Sequence, residues 1–156
     1  MKFDYIKKME ILPSETSAGF IIIDKIAKEV LLVEGRKRHW GFPKGHQEKG
    51  ETVEIAAQRE VKEETNVSIE NTNVHNEFHF SYTREKVKEN GRRVNKTVHL
   101  FLCTTQKEKH DVKAQEGEIL SAKFFPINEA HSKIEEKNLR KALKRAAKLV
   151  FPELKL

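Results

Sequence analysis

The chain has 156 residues, 37% of them hydrophobic and nine of them Phe, which suits one domain with a real core and excludes a disordered chain. Its net charge of +6 is uneven, with +5 over residues 131–156, +4 over residues 84–96 and −3 over the remainder. No apolar run approaches the roughly 18 residues of a membrane span, and a single cysteine excludes an internal disulfide.

The opening run MKFDYIKKMEILPSE is too charged for a signal peptide. A cytoplasmic chain is therefore expected, with no membrane association and no obligate protein partner. Residues 17–24 and 29–35 are β-rich runs joined by a tight polar connection at Lys25–Lys28. From Arg36 to Glu51 the chain has Gly, Pro and polar residues without periodicity, and it reads as a long loop of the kind that carries function. Residues 52–65 are helical, with Thr52 as cap and Val53, Ala57 and Val61 recurring on one face. Asn66 suits the left-handed residue that ends a helix.

Residues 76–83 and 96–105 form a predicted hairpin whose charged tip spans 84–96 and includes Asn90-Gly91. Cys103, in HLFLCTT, reads as a small core residue. AKFFPI is a short strand stopped by Pro126. Residues 128–134 and 135–150 are helical, the second with Leu139, Leu143 (or Ala142), Ala146 and Val150 as its core stripe. This order predicts an α/β fold, a single domain over residues 1–156 in which helices cover a mixed sheet.

The helix at 52–65 carries Glu60, Glu63 and Glu64 at steps of three and four, on one face, where like charges repel. Hard divalent cations seek such oxygen ligands and share them with substrate phosphates. A solvated acidic face is the plain alternative for REVKEE alone, but the wider spacing argues against it. Gly45 is followed by Glu51, then by Arg59-Glu60, an aliphatic Val61 and Glu63-Glu64. That run resembles the Nudix box, G-x5-E-x7-R-E-U-x-E-E-x-G-U with U aliphatic, at every defined position except the last glycine, here Asn66.

The resemblance implies a Nudix hydrolase with an α/β/α sandwich and a mixed sheet between helices. It implies Mg²⁺, or Mn²⁺, held by Glu60, Glu63, Glu64, the carbonyl of Lys44 and Glu118. Ala56, one turn before Glu60, would leave room for the metal. Arg59 and Glu51 would pair and hold the loop against the helix. The general base is either a box glutamate or Glu118, with Glu116 as the fallback. WGFPKGH, residues 40–46, is similar to the asymmetric diadenosine tetraphosphate hydrolases, and related PKGH runs occur in MutT-like enzymes. The expected reaction is water attack on phosphorus, cleaving diadenosine tetraphosphate to ATP and AMP. Alternatives are an RNA 5′-pyrophosphohydrolase, a MutT-like nucleoside triphosphate pyrophosphatase, and a non-catalytic nucleotide-binding regulator.

Substrate-binding candidates are Lys44, His46 and Lys96 for phosphates, Tyr82 for stacking on a purine with its hydroxyl in water, and Trp40 with Phe42 for a base pocket. Arg92 and Arg93 at the hairpin tip are further candidate phosphate contacts. His75, His79, His99, His110 and His131 show no metal-ligand spacing. His79 and His99 read as sheet residues and the others as surface.

Overall fold

Strand β1 (Ser14–Asp24) buries side chains on both of its faces. Ala18, Phe20 and Ile22 pack with Ala56, Ala57 and Val61, whereas Ile21 and Ile23 pack with Leu139, Leu143 and Ala146. A strand reads as a continuous apolar run when both faces of its sheet are covered, and here helices cover both. Helix α1 (Val53–Thr65) lies on one face. Helices α2 (Ile127–Lys133) and α3 (Lys137–Val150) lie on the other. A computed structural model describes residues 11–156. Most of the N-terminal run judged against a signal peptide lies outside them.

The sheet is mixed. β1 runs parallel to β6 (Arg93–Thr105), from Ser14↔Asn95 to Asp24↔Thr105. β5 (Phe80–Val87) pairs antiparallel with β6 at the edge. β2 (Glu29–Gly35) leaves β1 after two pairs, Ile23↔Val30 and Asp24↔Glu29, and runs on antiparallel to β7 (Ile119–Pro126). The turn between β1 and β2 is held by Asp24, whose Oδ1 accepts from the amides of Ile26 and Ala27, while Oδ2 accepts from the Lys107 amide.

The divergence of β1 from β2 is filled by two short strands. β3 (Trp40–Gly41) pairs with β2, and β4 (Lys44–His46) pairs with β1 across Ser17↔His46 to Gly19↔Lys44. Gly19 is required here, because a Cβ would stand 2.1 Å from the Pro43 carbonyl oxygen. The stretch 36–51 is thus not a structureless loop. Two or three residues are too few to show a period of two, so these strands left no pattern to read.

The hairpin also differs from expectation. β5 starts at Phe80 rather than Asn76, and the pairing continues to Val87↔Arg93, so the tip spans only 88–92. Strand β5 is an edge strand rich in exposed charge, the usual protection of an open edge, and that charge imitates a loop. In α3 the buried stripe is Leu139, Ala142, Leu143, Ala146 and Ala147, with Val150 only partly covered. Cys103 is buried and its thiol is pushed up to about 12 by burial.

Candidate active site

Helix α1 begins at Thr52, whose hydroxyl accepts from the Ile55 amide at 3.2 Å, and ends at Asn66, which is left-handed at φ 65°. Val61, Ala56 and Ala57 anchor one face to the sheet. Glu60, Glu63 and Glu64 are turned instead towards β4 and the start of β7. Ala56 is fully buried in the core, so its small side chain serves packing against the sheet and not room for a metal.

Arg59 organises the acidic face. Its Nε and Nη2 donate to the two oxygens of Glu51 at 2.7 and 2.9 Å, and Nη2 also donates to the His46 carbonyl at 2.9 Å. The expected Arg59–Glu51 pair is present and ties β4 to the helix. Nη1 reaches further, to Glu60 at 3.0 Å and Glu63 at 3.2 Å. The repulsion among the carboxylates is thereby offset by a charge-assisted network. The guanidinium holds the Glu51 carboxyl below its usual range.

Gly45 touches the acids directly. A Cβ there would lie 2.1 Å from the Glu60 carboxyl carbon. Glu64 Oε2 accepts from the Lys44 amide at 3.2 Å. Burial, reinforced by the charges of Glu60 and Glu63 and opposed by the Lys44 amide, pushes Glu64 up to about 7. Burial also raises Glu60 despite its bond to Arg59. These carboxylates are costly as bare anions and suited to meeting a cation.

A cleft of about 460 Å³ opens over them, and its lining includes Ser17, His46, Glu60, Glu63, Glu64 and Glu118. The Ser17 hydroxyl is buried and makes no hydrogen bond. Glu118 arrives on the segment before β7, which hangs from the end of α1. The Lys113 amide donates to Thr65 O, the Gln115 amide to Glu64 O, and the Asn66 side chain to Asp111 O. The donor set is all oxygen, as a hard divalent cation requires. Among the described residues, however, no three His, Cys, Asp or Glu side chains stand together as ligands around one point, and Arg59 Nη1 bridges Glu60 and Glu63.

A second cleft of about 490 Å³ adjoins the first and shares Gly35, Lys44, Glu64, Lys96 and Ile119 with it. The strand irregularity at Glu34/Gly35 falls at this junction. Trp40, Phe42 and Leu139 give the second cleft an apolar wall, and Arg84, Lys86 and Glu136 give it charge. Trp40 stands edge-on to Phe125 at 4.9 Å. Lys96 is buried and Lys44 half-buried, and desolvation pushes both ammonium groups down, Lys96 to about 8. Partial desolvation and the Lys96 charge lower His46 as well, which favours its neutral form.

Of the candidate site residues, Lys44, Lys96, His46, Trp40, Glu60, Glu63, Glu64 and Glu118 line these two clefts. Tyr82 is placed differently from expectation: its ring packs against the core beside Phe80 and its hydroxyl is buried, not wet. Arg92 and Arg93 line neither cleft, and Arg93 pairs with Glu85. Arg84 and Lys86, opposite Lys96 and Val94 on the longer hairpin, line the aromatic cleft instead. Ser17 and Glu136 gave no signal in the sequence. His99 sits on β6 as read, whereas His79 lies just ahead of β5 and off the sheet, its ring stacked on that of His99 with Nε2 2.8 Å from Nδ1.

The family model for the NUDIX domain matches residues 13–146. Nudix hydrolase 7 of Arabidopsis thaliana is 33% identical over 118 residues, covering 72% of this chain and 39% of that protein. The asymmetrical bis(5′-nucleosyl)-tetraphosphatase of Caenorhabditis elegans is 39% identical over 67 residues, covering 40% of this chain and 49% of that protein. The chain thus spans about half or less of the length of these curated relatives. Among solved structures, the C. elegans Ap4A hydrolase binary complex superposes with a TM-score of 0.69 at 24% identity, covering 87% of this chain and 97% of that one. That likeness shows the same fold.

Proposed function

The chain belongs to the Nudix family, and from that premise we propose that it is a divalent-metal-dependent hydrolase of nucleoside diphosphate-linked substrates, cleaving diadenosine tetraphosphate asymmetrically to ATP and AMP. The observation that carries this reading is the junction of the two clefts at Glu64, Lys44 and Lys96. An acidic compartment abuts one lined by cations and an apolar wall. A polyphosphate needs cations along its length, and a nucleoside needs an apolar wall beside it.

The donors Glu60, Glu63, Glu64, Glu118 and the Lys44 carbonyl would hold Mg²⁺ or Mn²⁺. When bound, such an ion draws charge from a pyrophosphate and lowers the pKa of water. Lys44 and Lys96 then orient phosphates from the cationic side, and His46 adds a neutral hydrogen bond. Glu118 is the proposed proton acceptor for the attacking water, with the box glutamates, Glu64 among them, as second candidates. Arg59 keeps Gly45 and the acids in register.

The test is incubation with Mg²⁺ and diadenosine tetraphosphate. AMP and ATP should appear together, and a paired ADP product or no cleavage counts against the reading. A second reading is favoured by a further hollow of about 450 Å³ past His46, lined in part by Lys37, Lys86 and Lys88. It would extend the cationic track towards an RNA 5′ end. Release of pyrophosphate from 5′-triphosphorylated RNA, faster than dinucleotide cleavage, would establish that alternative. Glu63→Gln separates enzyme from binding module: turnover lost with nucleotide binding kept supports the enzyme.

A further inference from the structure

Glu136 occupies the cap position of α3, yet its side chain makes no capping hydrogen bond to the helix amides. It lies on the wall of the aromatic cleft beside Trp40 and Leu139. Its Oε1 is buried without a hydrogen bond, with Arg84 Nε 3.5 Å away as an ion-pair partner. The Tyr82 hydroxyl is buried against it, and burial first, then the Glu136 carboxylate, push that phenol up. A carboxylate in a cleft for polyanions repels its own ligand unless it meets something other than phosphate.

We infer that Glu136 reads the nucleobase: with Trp40 and Leu139 as the apolar wall, its carboxylate accepts a hydrogen bond from the exocyclic amino group of adenine. This rests on the nucleotide reading of the cleft given above. Arg84 leans on one carboxylate oxygen, which leaves the other for a single N–H donor. Adenine offers a single amino group beside a ring acceptor, whereas guanine presents two adjacent donor positions to a carboxylate. Arg84 can donate to the ring acceptor. Tyr82 is a positioning residue that keeps the Glu136 carboxylate turned into the cleft rather than onto its helix.

Trp40 is the sole tryptophan of the chain, so its fluorescence reports base occupancy without turnover. The full chain in Mg²⁺ is titrated with AMP, with purine-riboside 5′-monophosphate, which lacks the 6-amino group, and with GMP. AMP should quench Trp40 and bind roughly tenfold tighter than either competitor, the ratio of one charged hydrogen bond. Glu136→Gln should collapse that ratio, and Tyr82→Phe should reduce it. If Glu136 were only a counter-ion, Glu136→Gln would shift all three affinities equally and leave the ratio intact, which overturns the inference. Equal binding of AMP and purine-riboside 5′-monophosphate by the unmodified protein, or a preference for GMP, overturns it as well while leaving hydrolysis standing. Absence of quenching by all three in a protein that still cleaves diadenosine tetraphosphate removes the base from the Trp40 cleft. Absence of both sinks the proposed function itself.

Discussion

Lys96 is 8% exposed and stands among Lys44, Lys86 and Arg84, so desolvation and like charge hold it at about 8. Unfolded, the same ammonium titrates near 10.5. Between these values the unfolded chain binds more protons, so this group makes stability rise with pH across that window, and the gain is lost as pH falls through 8. At pH 7 the charge is a strain on the substrate-free fold, one that a substrate phosphate would offset on the proposed reading. Lys96→Met should therefore stabilise the substrate-free protein at pH 7 by on the order of 2 kcal/mol. The advantage should vanish above pH 10, while kcat/KM on a polyphosphate falls about tenfold. Urea melts at pH 7 and 10 read the first effect. An unchanged or lowered stability at pH 7 would show that Lys96 is satisfied without ligand. Arg59 makes the opposite case, since its fork joins Glu51, the His46 carbonyl, Glu60 and Glu63 at once. A lysine cannot reproduce that planar fork. Arg59→Lys should cost about 1–3 kcal/mol for a partly buried network, and a double-mutant cycle with Glu51→Gln should return a coupling near 1 kcal/mol or more. The spacing of Glu51 and Arg59 announced their pairing. The grip on Glu60 and Glu63 was not legible, because a guanidinium's third partner depends on rotamers that no spacing encodes. Glu136 was hidden for a related reason: one Glu beside another at a helix start has no distinguishing pattern, and only the packing of α3 beneath Trp40 brings it to the cleft.

At the scale of elements, α1 was the most legible part of the chain, since Thr52, the apolar recurrence and Asn66 each mark a physical event in the helix. The short β3 and β4 and the true extent of β5 were not, because pairing across space fixed them where the local pattern was too brief or too charged. One consequence concerns the join between α1 and the segment carrying Glu118. Asn66 does two things there: it adopts φ 65°, and its side chain donates to the Asp111 carbonyl at 2.9 Å. Glycine would keep the first and lose the second, whereas alanine loses both. Asn66→Gly should leave thermal stability within about 0.5 kcal/mol, and Asn66→Ala should cost about 1–2 kcal/mol. If Glu118 takes part in the reaction, both should lower kcat with KM little changed, because the segment that delivers it has lost a tether. Equal kcat in Asn66→Gly and the unmodified chain would place the needed order in the Lys113 and Gln115 amide bonds alone.

Across the whole molecule the positive charge falls in two places with different relations to the site. The hairpin cations Arg84, Lys86 and Lys96 line the aromatic cleft. The cations of α3 are mostly on its outer side, with Lys144 and Lys148 exposed. From Glu136 at the cleft, 1.5 Å per residue puts these two about 12 and 18 Å along the helix axis. The Debye length at physiological salt is about 8 Å, so their field is largely screened at the proposed substrate cleft. Replacing Lys144 and Lys148 with Gln lowers the net charge from +6 by two, yet kcat/KM at 150 mM salt should stay within about twofold. Lys86→Gln removes only one charge and should lower kcat/KM several-fold while flattening its dependence on salt, since each cation in contact with a polyanion adds to that slope. Measured from 50 to 300 mM KCl, the two variants separate a local cationic track from a long-range field. A double variant that loses as much as Lys86→Gln would mean that α3 steers the substrate from a distance, and the basic C-terminal segment would then belong to the working surface of the protein.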